Sequence, residues 1–560
     1  FATPRARAAA PARPASRRLP LLLLAAVLGA GCTLRLVGLA DAPLGDGELA
    51  HYFAARALEQ GGEPVLPSGE LYVRGIDHTR IVAFALGRIE PPELALRLPA
   101  ALFGCAALVL FSLMAWRMAG PWAAVYATLL LAFFPEALDQ SRHSRFHSMQ
   151  LVLVLVAFHA GWHAVGRERP AGGGVGTDFG VWSREAGWAL VAVAALLAAA
   201  RIDVAVLVAG LAFVVAVLAA ALADVRAWRL SALRWSAPLQ LAMLGAAAGI
   251  AFLALQPSVL ARLAAGALAL SHWPAATQGA GGARAGAIGF VAGNMPVVAA
   301  AGLASLFWVV RYRGPLGLYL LVWFGLPFVL DGVVPWRDQQ LVLLALPALF
   351  LAVGMAVSGL LLAVHARLSA WLGERRLVAP YPGIAAGVAV AAFGLSLLAP
   401  TPAFTRALWP LEAFAVAGWS ETMAIVASQP AGRPVPVAHA RPLLALHYWG
   451  TLDFTVAEAS RQQWLTRERK RSRLGIDEPA GWVWLPMGAP DPRAGVPVLS
   501  SPDAIRAAYR DAGEVLIGLD SRTLDEDGVR AELYRVLVDE AEELCRGGCG
   551  PMLLFRWRLE

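Results

Sequence analysis

The sequence predicts an α-helical polytopic membrane protein with a C-terminal soluble α/β domain, and three observations carry that reading. The 560 residues are 58% hydrophobic with a mean hydropathy of +0.59, too apolar for a soluble chain and long enough for many spans plus one soluble domain. Apolar runs of about 18 residues or more, the length that crosses a bilayer, recur from residue 19 to residue 400. After about Pro400 the runs shorten to strand-like segments separated by amphipathic stretches.

In chain order, residues 1–18 form a basic tail holding Arg5, Arg7, Arg13, Arg17 and Arg18. The apolar run that follows is too long for a signal-peptide core, so it reads as an uncleaved first span with a cytoplasmic N-terminus. Spans are expected near 19–40, 97–117, 121–138, 148–166, 185–200, 203–222, 236–256, 287–310, 315–332, 339–364 and 381–400, about eleven in all. Arginine density tests the orientation. Arg117, the cluster of Arg167, Arg169 and Arg184, the cluster of Arg226, Arg229 and Arg234, the pair Arg311 and Arg313, and the cluster of Arg367, Arg375 and Arg376 all fall on the connections that this order makes cytoplasmic. The unusual polar clusters then fall on the opposite face, as does the α/β domain of residues 401–560, with strands expected at PVPVAHA, DFTVAE, VPVLS, EVLIGLD and PMLLFRWR and helices near 502–511 and 526–544.

The net charge of +7 does not point to nucleic acid, because the basic residues are scattered among membrane loops rather than striped along one soluble face. Four cysteines are too few for a disulfide scaffold. Cys32 and Cys105 lie in apolar spans, while Cys545 and Cys549 bracket a short polar turn and invite a disulfide if the domain is outside.

The stretch GDGELAHYFAARALEQGGEPVLPSGELYVRGIDHTR, residues 45–80 of an outer loop spanning 41–96, concentrates the candidate chemistry. A helix is expected from about Gly47 to Gly61, with Asp46 suited to its N-cap and Glu48 and Tyr52 on one face. The two acids alone could be no more than a cap and a carboxylate favoured by the helix dipole. Tyr72 and Arg74 bring the chain back to the membrane edge within about thirty residues, a path that can build a pocket beside the acids. The turn DQSRHSRFH adds Arg142, His143, Arg145 and His147. On the outer face this charge runs against the positive-inside rule and calls for an anionic partner, a phosphate foremost, or else for pairing with Glu136, Asp139 or headgroups. Arg337, in the segment WRDQQ that opens the tenth span, is either a further phosphate ligand or a snorkelling charge.

Taken in order, the acidic outer loop, PSGELYVRG, ELALRLPAALFG, QSRHSRFHSMQL and WRDQQLVLLALPALFL resemble the GT-C membrane glycosyltransferases, in particular the protein O-mannosyltransferase and aminoarabinose-transferase-like superfamily (glycosyltransferase family 39-like). The similarity spans most of residues 19–365, with a C-terminal segment, RPLLALHYWGTLDFTV, similar to the outer domain of bacterial members. The resemblance implies transfer of a sugar from a polyprenyl-phosphate donor to a protein, lipid or glycan acceptor at the outer face of a bacterial cytoplasmic membrane. It also implies a catalytic acid in the first outer loop, usually part of an adjacent Asp-Glu pair. Here Gly47 separates Asp46 from Glu48. Asp46 is the favoured base, Glu48 its support, and a divalent cation, if one is used, falls to these two. Arg142, Arg145 and Arg337 are expected at the donor phosphate, with Tyr52, Tyr72, Arg74, His78, His143 and His147 lining the substrate pocket. Direct attack at the anomeric carbon would invert it. The alternatives are a transporter, against which the spans carry no clear internal repeat, and a catalytically inactive GT-C-like scaffold subunit, which the split acid pair keeps open.

Overall fold

The computed structural model describes residues 15–41, 44–72, 75–164, 179–203, 206, 209–217, 296–331, 340–371, 419–428, 435–456, 488–491, 493–520, 529, 531–545 and 552–559. The spans expected at 236–256 and 381–400 lie outside them. The chain divides into two compact units, one of Phe1–Leu39 with Arg97–Trp409 and one of Ala40–Leu96 with Pro410–Glu560.

The first unit is helical: α1 (Ala15–Leu36), the greater part of α4 (Pro92–Ala119), α5 (Pro121–Phe133), α6 (Pro135–Arg142), α7 (His147–Ala164), α8 (Phe179–Ile202), α9 (Pro296–Arg313), α10 (Pro315–Asp331) and α11 (Gln340–Trp371). Among the described residues, three stretches are long and apolar enough to cross a membrane: Arg18–Leu36, Pro92–Ala119 and Leu343–Ala363. The span expected at 121–138 is not one straight helix. It breaks between α5 and α6 with a bend of 57°, because Pro135 has no N–H to give and its ring opposes a helical turn before it. As one broken span, this pair would be a fourth crossing.

Packing in this unit relies on small residues and a few large rings. The Phe158 and Trp323 rings stack at 3.9 Å, the Tyr319 hydroxyl donates to the Phe158 carbonyl at 2.6 Å, and the Trp323 indole N–H donates to the Leu344 carbonyl at 3.0 Å. These two buried donors are thereby satisfied by carbonyls of neighbouring helices, as an apolar surrounding requires. At Gly354 of α11 an added Cβ would lie 2.4 Å from the Ala123 carbonyl oxygen of α5, so the two backbones meet where a glycine faces alanines.

Two arginines close the helix ends. Arg35 is buried in α1 and donates to the carbonyls of Leu131 (3.2 Å) and Ala132 (3.0 Å) at the end of α5. The Leu131 carbonyl would otherwise face Pro135, which has no donor. Arg142, at the end of α6, donates to the carbonyls of Leu34 and Val37, where α1 ends.

The second unit is an α/β structure. Among the described residues its mixed sheet has five strands in the order β2-β1-β3-β5-β4: β1 (Val437–His439), β2 (Phe454–Thr455), β3 (Glu514–Asp520), β4 (Glu542–Glu543) and β5 (Met552–Arg558). Strands β2, β1 and β3 run parallel, β5 is antiparallel to β3, and β4 is antiparallel to β5. Alternate residues feed opposite faces. Leu516 and Leu554 join a cluster with Leu44, Leu49, Val82 and Leu96, from α2 (Asp46–Glu59), α3 (Ile76–Leu86) and their flanks. Val515, Ile517 and Phe555 join the opposite cluster with Ile505, Leu533 and Leu537, from α14 (Pro502–Tyr509) and α15 (Ala531–Glu540). Two further helices, α12 (Trp419–Ala427) and α13 (Pro442–Tyr448), complete this unit among the described residues.

Two sequence expectations change here. VPVLS forms isolated bridges, with Val498 opposite Thr455 and Pro497 opposite Pro490, rather than a strand. The helix expected to run to 544 ends at Glu540 and is followed by β4, because Glu542 and Glu543 pair with Arg556 and Phe555.

Candidate active site

The acidic segment is built onto one face of the sheet. Helix α2 starts at Asp46, one residue before the sequence reading, and its N-cap is Gly45 rather than Asp46. The cause is local. Gly45 is extended (φ −81°, ψ 161°), its carbonyl accepts from Glu48 N–H at 2.9 Å, and Glu48 Oε2 accepts from Gly45 N–H at 3.0 Å. Gly45 has no side chain to give, so the glutamate supplies its half of a capping box alone. Glu48 is 2% exposed. Asp46 occupies the first helical position, where a negative charge is favoured by the helix dipole; its side chain lies outside the described residues.

Helix α2 packs against α3 through a polar cluster centred on His51, a residue the sequence reading passed over. His51 is 3% exposed. Its Nδ1 lies 3.2 Å from Thr79 Oγ1 and its Nε2 3.2 Å from the Tyr72 hydroxyl. Thr79 Oγ1 donates its proton to the Gly75 carbonyl at 3.3 Å, so it can only accept from the imidazole. With Thr79 as acceptor, a ring proton on Nδ1 would leave Nε2 to accept from Tyr72. His51 follows Glu48 by three residues along the helix, a spacing that could have pointed to it.

His78 lies beside this cluster, its ring edge-on to His51 with centroids 5.6 Å apart. It is fully buried, neither ring nitrogen has a hydrogen-bond partner among the described residues, and burial pushes its pKa down to about 4. It belongs to the α2–α3 packing, not to an open pocket wall. Tyr52 is half-buried and meets His447 of α13 edge-on at 4.8 Å. Leu44 N–H donates to the Tyr448 hydroxyl at 2.8 Å. The return arm is fixed as a tight turn: Gly69 N–H donates to the Leu66 carbonyl at 2.8 Å and Tyr72 N–H to that of Pro64 at 2.7 Å. That turn docks on Arg493 and Gly495. Ser68 N–H donates to the Arg493 carbonyl at 3.1 Å, and a Cβ on Gly495 would fall 2.9 Å from Ser68 Cα. Arg74 lies outside the described residues, as does Arg337.

In the first unit the α6–α7 turn separates its arginines by task. Arg142 serves the last carbonyls of α1, a cation at a helix C-terminus, whereas the Arg145 side chain is exposed. His143 Nδ1 donates to the Asp139 carbonyl at 2.9 Å and lies 3.3 Å from the Asp139 carboxylate. His147 is 4% exposed and stacked on Phe146 at 4.5 Å. Among the described residues no group of three or more His, Cys, Asp or Glu could hold a metal ion. Cys545 is disulfide-bonded while Cys32 and Cys105 are free thiols; Cys549 lies outside the described residues.

The helical unit with its apolar spans, joined to an α/β unit that incorporates the acidic segment, is the GT-C fold of membrane glycosyltransferases. The chain is similar to ArnT from Cupriavidus metallidurans bound to undecaprenyl phosphate, with a TM-score of 0.57 and 15% identity over 96% of this chain and 97% of that one. It is also similar to the oligosaccharyltransferase AglB from Archaeoglobus fulgidus, in complex with an inhibitory peptide and a dolichol-phosphate, with a TM-score of 0.51 and 12% identity over 91% of this chain and 70% of that one. At these identities the likeness is one of fold. No family model matches the sequence. No curated protein matches it either.

Proposed function

We propose that this protein transfers a sugar from a polyprenyl-phosphate-linked donor to an acceptor at the outer face of a bacterial cytoplasmic membrane. The observation that carries the reading is the fold match over 96% of the chain to a protein solved with undecaprenyl phosphate bound. A sugar on a polyprenyl phosphate already has a good leaving group. The protein needs a base for the acceptor proton and a cation for the departing phosphate. Asp46, at the start of α2, is the base in this reading. Glu48 holds that helix start through Gly45 N–H and so fixes where Asp46 sits. Arg145, exposed on the α6–α7 turn, and Arg337 are the phosphate ligands, with Arg142 shaping the turn that presents Arg145. Tyr72 and Tyr52 border the acceptor side. Direct displacement by the acceptor inverts the anomeric carbon.

One observation favours the scaffold reading: Glu48, one member of the split acid pair, is buried and engaged in capping. The two readings part in cells. Deleting the gene should raise the pool of a polyprenyl-phosphate-linked sugar, measured by mass spectrometry of lipid extracts, and the wild-type protein should restore it while Asp46→Asn should not. An unchanged lipid pool on deletion, or full restoration by Asp46→Asn, would overturn the proposal.

A further inference from the structure

Helix α2 has one face that the core does not take. Glu48, Leu49, His51, Ala54 and Ala55 are buried and mark its core side. Positions 46, 50 and 53 recur at four- and three-residue spacing on the opposite side, where Ala50 and Phe53 are half-buried. Phe53 thus shares a face with Asp46, two turns or about 10 Å further along the helix.

Helix α13 meets α2 beside this strip. The His447 ring lies edge-on to Tyr52 at 4.8 Å and to Phe53 at 6.5 Å, and Tyr52 is edge-on to Phe53 at 5.4 Å. All three rings belong to half-buried residues, and edge-on contacts leave uncovered the ring faces that stacking would hide. Burial pushes the His447 pKa down and the Glu93 carboxylate opposes the shift. The imidazole is therefore neutral at pH 7, with one nitrogen to donate and one to accept, and an acid lies within electrostatic reach of it.

This set of groups sorts the classes of ligand. An extended peptide is held by main-chain hydrogen bonds, and the interior of α2 has none to offer because its N–H and C=O groups pair within the helix. An acyl chain gains nothing from a carboxylate and an imidazole, whose desolvation it would not repay. An anionic ligand meets the like charges of Asp46 and Glu93. A neutral saccharide uses every group present. Its C–H faces pack on aromatic rings, whose faces are electron-rich, and its hydroxyls both donate and accept.

We infer that the platform of Tyr52, Phe53 and His447, with the Glu93 carboxylate beside it, is the acceptor subsite, and that the acceptor is a neutral saccharide. The saccharide lies along α2, with one hydroxyl towards the Asp46 end and a ring packed at Phe53. Calling the bound sugar an acceptor rests on the sugar-transfer reading; the platform binds it whether or not transfer follows.

The test uses the full chain in its native host, with p-benzoylphenylalanine, a photoreactive side chain, in place of Phe53. A reference variant carries it in place of Asp503, whose side chain is 94% exposed in α14. After irradiation the protein is purified and digested, and the adducts are identified by mass. The peptide bearing position 53 should carry a saccharide, and the peptide bearing position 503 should carry none. Acyl chains on the adduct would mark a glycolipid and their absence a free glycan, and either supports the inference. A peptide adduct, a lipid without sugar, a sugar still joined to polyprenyl phosphate, or no more saccharide at 53 than at 503 would overturn it. Should the Phe53 variant fail to fold, the photoreactive residue takes the place of Ala57, one turn further on the same face, and the same outcomes decide. The adduct should persist in the Asp46→Asn background. A saccharide adduct there, together with a polyprenyl-linked sugar pool unchanged by gene deletion, would leave the subsite standing while the sugar-transfer reading falls.

Discussion

Replacing Glu48 by glutamine separates capping from catalysis by magnitude. The residue is 2% exposed and its carboxylate accepts from Gly45 N–H at 3.0 Å. Glutamine keeps an oxygen for that N–H and loses the charge, which lowers a hydrogen bond worth about 1.5–3 kcal/mol to one worth about 1 kcal/mol. Alanine removes the acceptor altogether and forfeits the whole bond, about 1.5–3 kcal/mol. For a unit of this size each kcal/mol moves Tm by about 2–4 °C. Loss of a general base instead costs roughly a hundred- to ten-thousand-fold in rate, about 2.7–5.5 kcal/mol of activation free energy. With Asp46 as the base, Glu48→Gln should keep activity within about tenfold of wild type and lower Tm by a few degrees at most, and Glu48→Ala should lower Tm further. Asp46→Asn should lose about a hundredfold or more in activity with little change in Tm, since a charge in the first helical turn contributes only about 0.3–1 kcal/mol. The assay is consumption of the endogenous polyprenyl-linked sugar in isolated membranes, beside thermal unfolding of the purified protein. A hundredfold loss in Glu48→Gln with unchanged Tm would refute the assignment and move the base to Glu48.

The two arginines of the α6–α7 turn should behave differently. Arg142→Gln leaves the Leu34 and Val37 carbonyls short of a donor and should lower Tm, whereas Arg145→Gln should leave Tm unchanged and weaken binding of undecaprenyl phosphate; the opposite pattern would show Arg142 to be the ligand. His78 and His439 are fully buried, with pKa values pushed by burial down to about 4 and about 3. Below the unfolded value of about 6.5 the unfolded chain binds the proton first, so stability should fall as pH drops from about 6.5 towards 4, by up to about 1.4 kcal/mol per pH unit for each group. His78→Phe should flatten that slope in thermal melts taken across the range, and an unchanged slope would mean that His78 has another environment in solution. Gly354→Ala drives a methyl to 2.4 Å from the Ala123 carbonyl oxygen, a backbone atom that cannot turn aside. It should destabilise the detergent-solubilised protein by about 1–3 kcal/mol, and a wild-type Tm would show that α5 and α11 sit further apart.

What the sequence revealed and what it withheld follow one physical division. Local patterns were readable. The apolar runs announce their helices because length and hydropathy are properties of one segment, and EVLIGLD and PMLLFRWR are strands β3 and β5 because a short apolar run suits a strand covered on both faces. Pro135 in the run 121–138 carried the signal for the break between α5 and α6, but a count of apolar residues does not register a missing N–H. The helix start at Asp46 was missed by one residue because Gly45 caps through backbone and borrows the Glu48 carboxylate, whereas N-cap statistics favour a side chain on the cap residue itself.

Pairings between distant segments were not readable. The excess of arginine in QSRHSRFHSMQL looked like demand for an anion, yet Arg142 answers carbonyls of Leu34 and Val37 more than a hundred positions earlier, and Arg35 answers the end of α5 in return. A buried guanidinium serving helix-end carbonyls and one serving a phosphate leave the same letter in the sequence, because both are a planar donor meeting oxygen. Likewise nothing near Leu44 foretells that its N–H meets the hydroxyl of Tyr448, or that Leu49 and Val82 complete the core under Leu516 and Leu554. These contacts make the acidic segment part of the α/β unit's own core. The start of α2, and with it Asp46, is therefore positioned by a folded sheet, and substitutions in β3 or α13 that disturb that packing should impair transfer without touching either acid.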